Sequence, residues 1–331
     1  MYLGVDGGGT KTALCLISTD GRLLARTRAA SCYYFGTGAG TDLVGQVLDG
    51  AVEQVCAAAG ITPDAIQHAF LGLPGYGEVS ADVPALDAAP RTALGHDRYT
   101  CDNDMVCGWA GSLGAVDGIN VISGTGSMTY GARRGTGTRV GGWGELFGDE
   151  GSAYWIAIQG LNLFSRMADG RLTTGPLLDV FREHLQLEAD LELVNVVLNR
   201  WKGDRSEIAA LSRVVDRAAT AGDPAAHQVL TTAGRELAGL VDATARTLAF
   251  DTDETIPTSY SGGTFASDTV RTSFTAALAD LPHRYELRAP LLPPDVGAAL
   301  NAARLAGHPL SPDAVHALQT ALDPTTRPAV A

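Results

Sequence analysis

Short apolar runs separated by turn signals open the chain. Tyr2–Asp6 and Thr12–Ile17 are apolar runs of strand length, with three consecutive glycines after the first of them. Asp20-Gly21 then turns the chain into a third run at Arg22–Thr27. This pattern predicts three antiparallel strands at the start of the protein.

The same pattern begins again at Gly118. Ile119–Ser123 has the character of a strand, a Gly-Thr-Gly turn follows, and Ser127–Arg133 predicts the next strand. The recurrence predicts an internal structural repeat. Further strands are expected at His68–Leu73, Arg98–Cys101, Ile256–Ser261 and Tyr285–Leu287, and helices after Thr41, at Met105–Leu113, Ser152–Met167, Phe265–Leu281 and Asp295–Leu305, with two long helices dominating Pro176–Phe250.

This mixture of elements predicts an α/β fold with two mixed sheets. At roughly 150 residues per domain, the 331-residue chain is expected to form about two domains. The repeat places the boundary near Gly118. The N-terminal domain would then cover residues 1–118, and the C-terminal domain, with a helical insertion, residues 119–307.

Charge and composition exclude several classes of protein. The chain has 24 Lys and Arg against 37 Asp and Glu, a net charge of −13, so it lacks the basic surface that binds nucleic acid or an anionic membrane. No apolar run approaches the roughly 20 residues of a membrane span, and no signal-peptide pattern follows Met1. Five cysteines without a CxxC pair predict neither disulfides nor a zinc site. We therefore expect a cytoplasmic protein.

Two glycine-rich turns have the chemistry of phosphate sites. In Asp6–Thr12, Gly8 and Gly9 let backbone N–H groups approach an anion, and Thr10 and Lys11 add a hydroxyl and a positive charge. Asp6 suits Mg²⁺, held through water. The alternative is a plain hairpin turn, although three glycines exceed what a two-residue hairpin needs. The second turn, Ser123–Ser127, could also bind phosphate oxygens. Gly124 and Gly126 would expose backbone N–H groups, and Thr125 would add a hydroxyl.

Three further motifs carry candidate polar chemistry. Asp102-Asn103-Asp104 ends a strand before a helix, where a carboxylate is either a helix cap or a general base worth about 10²–10⁴ in rate. Gly141–Ser152 has five glycines in twelve positions, with Asp149 and Glu150 as acceptors for sugar hydroxyls or as caps of the next helix, and an aromatic face at Trp143. The glycines of Ser261–Thr264 could let a flat ring of a ligand lie against the backbone. The alternative is an ordinary strand–helix turn.

These five motifs, in this order, resemble those of the actin-like ATPase superfamily of sugar kinases and Hsp70-type ATPases. Within it the chain is similar to the BadF/BadG/BcrA/BcrD group and its N-acetylglucosamine kinase branch. The residues that carry the resemblance are DGGGTKT, Asn103-Asp104 with Ala110-Gly111, ISGTGS and GGWGxxxGDEGSAYW. The resemblance spans roughly Met1–Gly307.

The resemblance implies two RNase H-like domains around a cleft that binds ATP with Mg²⁺ and a sugar. It also implies that a C-terminal tail of about residues 308–331 returns to the first domain, and that a homodimer is one open arrangement. Asp104 corresponds to the catalytic base. The other implied contacts are the nucleotide phosphates at Thr10 and Thr125, the nucleoside at Gly222, Gly262 and Gly263, and the sugar at Gly142, Trp143, Gly144 and Asp149. Asn103 and Glu150 are further candidate sugar contacts.

The loop after the third strand departs from the family. The family has an asparagine that touches the sugar there, whereas this chain has Ser31–Gly36 with Tyr33 and Tyr34. Tyr33 could stack on a pyranose ring, or the tyrosines could close the pocket to a different group. The identity of the acceptor therefore stays open.

The leading hypothesis is an ATP-dependent kinase acting on the C6 hydroxyl of an amino sugar, with N-acetylglucosamine first. Glucosamine, N-acetylmannosamine, N-acetylmuramic acid or a non-sugar alcohol are alternative acceptors. An ATPase activator of a radical dehydratase would need an Fe–S cluster, and Cys101 and Cys107 do not form a convincing ligand set. A non-catalytic sugar sensor is the third alternative.

Overall fold

The computed structural model describes residues 1–322. The described chain contains strands β1–β10 and helices α1–α13, with three other short helical segments. The strands are β1 (Tyr2–Gly7), β2 (Thr12–Ile17), β3 (Leu23–Ala29), β4 (His68–Leu73), β5 (Tyr99–Asn103), β6 (Gly118–Ser123), β7 (Ser127–Arg133), β8 (Thr136–Gly141), β9 (Thr255–Ser261) and β10 (Arg284–Arg288).

The helices concentrate in the second half of the chain. They are α1 (Asp42–Ala59), α2 (Val83–Ala88), α3 (Pro90–Leu94), α4 (Met105–Leu113), α5 (Ala153–Ala168), α6 (Pro176–Leu185), α7 (Glu192–Asn195), α8 (Arg205–Ala210), α9 (Ser212–Thr220), α10 (Pro224–Thr247), α11 (Asp268–Ala279), α12 (Pro294–Leu305) and α13 (Pro312–Leu322). Pro63–Ala65 and Gly263–Ala266 are 3-10 turns, and Val196–Arg200 is π-helical.

The chain divides into two compact units. Met1–Val116 and residues 289–322 form the first, and Asp117–Arg288 form the second. The sheet of the first unit has the order β3-β2-β1-β4-β5, and the sheet of the second has the order β8-β7-β6-β9-β10. In each, three antiparallel strands are extended by two parallel ones. The predicted α/β class with two mixed sheets is confirmed, and the two sheets share one topology.

Each unit has its own hydrophobic core. In the first, every residue of β2 is buried, and α1 turns Val44, Leu48 and Val52 onto the sheet. In the second, α10 lies along the sheet and buries one face over its 24 residues. Apolar burial on this scale stabilises each unit, since a fully buried Leu or Val side chain contributes about 1.5–3 kcal/mol.

Helix α12 belongs to the first unit, which differs from the predicted boundary at residue 307. It packs against β1 and α4 at backbone distance. A Cβ at Gly4 would overlap the backbone of α12, 2.7 Å from the carbonyl carbon of Ala298, and a Cβ at Gly111 would lie 2.7 Å from the Leu292 carbonyl oxygen. The alanine-rich surface of α12 allows this close approach. The chain therefore returns to the first unit at Ala289, before the expected tail, whose last residues, 323–331, lie outside the described part.

Several elements differ from the sequence prediction. The stretch 176–250 contains five α-helices and a π-helical segment instead of two long helices. Strand β8 was not predicted, because TGTRVG has neither alternation nor an apolar run, and it lies half-exposed at the edge of its sheet. Helices α2 and α3 were also not predicted, and each has a proline in its first turn.

Gly4→Ala should destabilise the first unit. The added methyl group would have to push α12 away from β1, and overpacking of this kind costs about 1–3 kcal/mol. Urea denaturation followed by circular dichroism measures the free energy of unfolding. Gly50→Ala is the matched control, because Gly50 lies on α1 with open space around it and alanine favours a helix by up to about 1 kcal/mol. Equal stability of both variants would contradict the close packing of α12.

Candidate active site

The first glycine-rich turn connects β1 to β2 and exposes its tip. The N–H of Gly8 donates to the carbonyl oxygen of Lys11 at 2.9 Å, which closes the turn. Gly9, Thr10 and Lys11 are exposed, whereas Thr12 is buried and donates its hydroxyl to the Ala30 carbonyl at 2.8 Å. The turn therefore offers backbone, a hydroxyl and an ammonium group to a ligand.

Acidic side chains gather beside this turn in the first unit. Asp6 is half-buried on β1, and its carboxylate interacts electrostatically with Asp104 and Asp295. Burial, followed by repulsion from these two carboxylates, raises the pKa of Asp6 to about 7, and Lys11 opposes the shift. Asp295 is buried on α12, where Arg26 donates two hydrogen bonds to it at 2.7 and 2.8 Å. Negative charge is thus concentrated around Asp6.

The Asp102–Asp104 segment joins β5 to α4. Asn103 is buried, accepts from the N–H of Met105 at 3.2 Å and donates to the Tyr76 carbonyl at 3.1 Å. Asp102 accepts from the N–H of Asn103 at 2.7 Å, and burial raises its pKa. The side chain of Asp104 makes no cap hydrogen bond to α4. The helix start is therefore held by Asn103, and the carboxylate of Asp104 is not used as a cap.

The loop after β3 is attached to the first turn. Ser31 donates its hydroxyl to the Gly8 carbonyl at 2.9 Å and accepts from the N–H of Tyr33 at 3.1 Å. Tyr33 is 43% exposed, with its ring edge-on to Phe35. Tyr34 is buried and donates to Asp82 at 3.1 Å. Of the two tyrosines, Tyr33 is the one with a ring open to solvent.

In the second unit the Ser123–Ser127 hairpin contacts two other predicted motifs. The first contact is with Gly262, whose φ of +100° favours glycine. A Cβ there would overlap the carbonyl of Ser123 and lie 2.9 Å from the nitrogen of Gly124. Strands β6 and β9 pair in parallel up to Ile122 and Ser261, so both motifs begin at the same edge of the sheet.

The second contact is with the loop at 141–152. Ser123 donates its hydroxyl to the Gly151 carbonyl at 3.0 Å, and Ser127 donates to the Glu150 carbonyl at 2.7 Å. The N–H of Gly142 donates to the Ser127 carbonyl at 2.9 Å. The loop and hairpin therefore form one hydrogen-bonded unit, which no local sequence pattern indicates.

The Gly141–Ser152 loop ends in the residue that caps α5 and exposes an aromatic side chain. Ser152 caps α5 by accepting from the N–H of Trp155 at 3.1 Å, so neither Asp149 nor Glu150 serves as its N-cap. Gly142 and Gly144 have left-handed φ values, and Trp143 between them is 71% exposed. An aromatic face is thus presented on a backbone that only glycine-rich sequence adopts readily.

Asp149 is paired with an arginine that the sequence analysis did not identify. Its side chain is 3% exposed, its φ is +56°, and its carboxylate accepts from Arg205 of α8 at 2.5 Å. Burial raises the pKa of Asp149, while Arg205 and the backbone N–H groups of Ser127 and Gly144 oppose the shift. Arg205 and Asp295 were missed because each meets its partner through long-range packing.

A small cavity of about 140 Å³ lies beside the Ser261–Thr264 motif. Gly263 and Thr264 line it from the motif, and Ser212, Arg213 and Asp216 line it from α9. Gly222 follows the other end of α9 and is not among the lining residues. The structure thus brings one predicted nucleoside motif to a cavity and leaves Gly222 away from it.

Within residues 1–322, no helix is long and apolar enough to cross a membrane. In the same range, no group of three or more His, Cys, Asp or Glu has the geometry to hold a metal ion. All five cysteines are buried as free thiols.

Two proteins with similar sequences are named as sugar kinases. The chain is 28% identical over 276 residues to N-acetyl-D-glucosamine kinase of Dictyostelium discoideum, covering 80% of this chain and 85% of the relative. It is 29% identical over 266 residues to the N-acetylmuramic acid/N-acetylglucosamine kinase of Clostridium acetobutylicum, covering 78% and 84%.

A solved structure and a family profile extend these matches. A candidate N-acetylglucosamine kinase from Chromobacterium violaceum superposes with a TM-score of 0.67 at 26% identity, covering 90% of this chain and 97% of that one. The profile of the BadF/BadG/BcrA/BcrD ATPase family matches residues 3–302. The fold is that of the actin-like ATPases, as the sequence resemblance implied. The chain belongs to the BadF/BadG/BcrA/BcrD ATPase family.

Proposed function

We propose that this protein is an ATP-dependent kinase that phosphorylates the C6 hydroxyl of an amino sugar, with N-acetylglucosamine as the leading acceptor. The observation that carries the proposal is the hydrogen-bonded junction of the second unit. There the Ser123–Ser127 hairpin joins the Gly141–Ser152 loop and Gly262. Phosphate, sugar and nucleoside chemistry would thus meet at one sheet edge. The named activities of the Dictyostelium and Clostridium relatives support the same reaction.

Asp104 is the proposed general base. It would accept the proton of the sugar hydroxyl as that oxygen attacks the γ-phosphorus and ADP leaves. The neighbouring Asn103 caps α4 and bonds Tyr76, so the backbone that carries Asp104 is held on both sides. A held backbone restricts where the carboxylate can lie, which favours a positioned base.

The carboxylates of the first unit fit a magnesium ion. Mg²⁺ prefers oxygen ligands and retains its water, and the concentrated negative charge around Asp6 would be relieved by a divalent cation. Asp6 would hold the ion through water, with Asp104 nearby. When bound, the magnesium ion would neutralise part of the negative charge of the ATP phosphates.

The remaining proposed contacts follow the chemistry of each group. Backbone N–H groups suit phosphate oxygens, glycine-backed surfaces suit the nucleoside, and carboxylates and an aromatic face suit a sugar. The proposed phosphate contacts are Gly8, Gly9, Thr10, Lys11, Gly124, Thr125 and Gly126; the nucleoside contacts are Gly262, Gly263 and, with less support from the cavity, Gly222; the sugar contacts are Asn103, Gly142, Trp143, Gly144, Asp149, Glu150 and Tyr33.

A coupled ADP-release assay tests the reaction. ATP and Mg²⁺ are supplied with N-acetylglucosamine, glucosamine, N-acetylmannosamine or N-acetylmuramic acid, and the phosphorylated carbon is identified by NMR. We expect ADP release with N-acetylglucosamine to exceed the sugar-free rate at least tenfold. ATP hydrolysis that no sugar changes would contradict the proposal and favour the ATPase-activator alternative.

Asp104→Asn should lower kcat by about 10²–10⁴, the usual contribution of a general base. Binding of a fluorescent ATP analogue should be retained, because the carboxamide has almost the same shape. Asp102→Asn is the matched control: it makes the same change two residues earlier, and its amide oxygen can still accept from Asn103. A fall in kcat of equal size in both variants would argue against Asp104 as the base.

The raised pKa of Asp6 should make the free energy of unfolding depend on pH, measured in EDTA so that no metal ion is bound. Well below pH 4 the carboxyl is protonated in both the folded and the unfolded states, so it contributes nothing to the pH dependence. As the pH rises to 7 the unfolded chain ionises first, which favours unfolding. Asp6→Asn should therefore raise the free energy of unfolding at pH 8 by on the order of 2–4 kcal/mol, and have little effect at pH 4.

Urea denaturation between pH 4 and pH 8 measures this effect. Asp49→Asn is the control, because Asp49 is an exposed carboxylate on α1 and its removal should leave the pH dependence unchanged. A pH-independent effect of Asp6→Asn would show that burial and the neighbouring carboxylates do not raise the pKa of Asp6.

A further inference from the structure

Arg205 lies where the proposed phosphate and sugar motifs meet. It is the first residue of α8, and Asp204 fixes the start of that helix by accepting from the N–H groups of Ser206 and Glu207, both at 2.9 Å. The Nη2 of Arg205 donates to Asp149, and its Nε lies 3.3 Å from a carboxylate oxygen of Glu145. A short, capped helix therefore directs this guanidinium onto the Gly141–Ser152 loop.

The guanidinium also lies against the phosphate hairpin. A Cβ at Gly126 would be 2.7 Å from Nη2 of Arg205 and 2.7 Å from Oδ2 of Asp149. Any side chain at position 126 would therefore displace the ion pair. Because Gly126 has no side chain, the guanidinium of Arg205 lies next to the hairpin backbone, which we propose binds the phosphates of ATP.

Most of the hydrogen-bonding capacity of Arg205 is unused. A guanidinium has five N–H donors, and within residues 1–322 the hydrogen bond to Asp149 is the one that Arg205 makes. Its Nε is buried and makes no hydrogen bond, although the side chain as a whole is 42% exposed. The guanidinium is held at one side by Asp149 and Glu145 and keeps further N–H donors that can bind another acceptor.

The partner that holds Arg205 is buried and has a strained backbone. Asp149 is buried, has a left-handed backbone that is uncommon outside glycine, and is bonded by the N–H groups of Ser127 and Gly144. Such strain costs about 1–3 kcal/mol and is concentrated at functional sites. Asp149 and Glu145 together thus restrain one side of the guanidinium.

Building on the proposed kinase function, we infer that Arg205 binds oxygens of the transferring phosphoryl group and stabilises their charge. The planar fork of arginine matches an oxyanion better than a point charge does. During transfer the bond from the sugar oxygen to phosphorus forms and the bond to the ADP oxygen breaks. The proton passes to Asp104, and Arg205 keeps its protons throughout. Charge on the equatorial oxygens is what Arg205 would neutralise.

The carboxylate of an acidic acceptor, such as N-acetylmuramic acid, could also accept two hydrogen bonds from the guanidinium, as a phosphoryl group would. The phosphoryl group is favoured because Arg205 lies against Gly126 of the phosphate hairpin. The two sources differ in one observable: a phosphoryl contact affects every acceptor, whereas an acceptor contact affects the acidic one alone.

The test compares Arg205→Gln with the wild type on neutral and acidic acceptors. We expect kcat to fall at least about 100-fold on each acceptor, the usual effect of losing one charge-stabilising donor, with KM for the sugar and Kd for ADP within about threefold. Arg205→Lys should recover part of kcat, since it retains the charge without the fork. Arg182→Gln is the control, because Arg182 also pairs with two carboxylates, is 41% exposed and lies in the same unit.

A second measurement keeps the inference testable if Arg205→Gln folds poorly with Asp149 unpaired. Asp149→Asn and the double variant Asp149→Asn/Arg205→Gln carry no unpaired buried carboxylate, so their comparison isolates the arginine. Binding of ADP with aluminium fluoride and the acceptor sugar is measured by titration. We expect the double variant to bind this mimic of the transferring phosphoryl group at least tenfold more weakly than Asp149→Asn, with ADP binding unchanged.

The outcomes separate this inference from the proposed function. A wild-type enzyme that phosphorylates no acceptor overturns both. An active wild type with an unchanged kcat in folded Arg205→Gln, or a loss confined to the acidic acceptor or to KM for the sugar, overturns the role of Arg205 alone. A loss on all acceptors with weakened binding of the aluminium fluoride complex supports it.

Discussion

The second unit depends on one set of hydrogen bonds, made by the backbone and hydroxyls of the Ser123–Ser127 hairpin. These groups bond Gly142, Glu150 and Gly151 of the following loop, and the hairpin backbone packs directly on Gly262. Buried polar groups must find partners, so the hairpin can adopt this path only if the loop adopts its own. Three separate stretches of sequence are therefore organised as one surface.

Charge is arranged differently in the two units. In the first, burial and then the charges of Asp104 and Asp295 raise the pKa of Asp6, while Arg26 pairs with Asp295. In the second, the buried carboxylate of Asp149 is balanced by Arg205. The carboxylate of Asp6 therefore keeps a raised pKa, whereas that of Asp149 is paired directly with a guanidinium. A site with neighbouring carboxylates suits a cation, whereas a site with a restrained guanidinium suits an oxyanion.

Much of the fold was predictable because its signals are local. Apolar runs before glycine turns located β1, β2, β6 and β7, and helical spacing located α1. Strand β8 and helices α2 and α3 lack such signals and were missed. The packing of α12 onto β1 was also not predictable, because it depends on the mutual fit of Gly4 and an alanine-rich helix almost 300 residues later in the chain.

By itself, the sequence determined the α/β class, the repeat and the five motifs, because residue type and spacing act over a few neighbouring positions. It also indicated Asp6, Asp104 and Asp149 as groups with chemistry. Only the tertiary structure decided what surrounds them: Asp295 behind Asp6, Asn103 in place of Asp104 as the cap of α4, and Arg205 on Asp149. The physical reason is that burial, charge pairing and strain arise from residues that are distant along the chain and meet only when it folds.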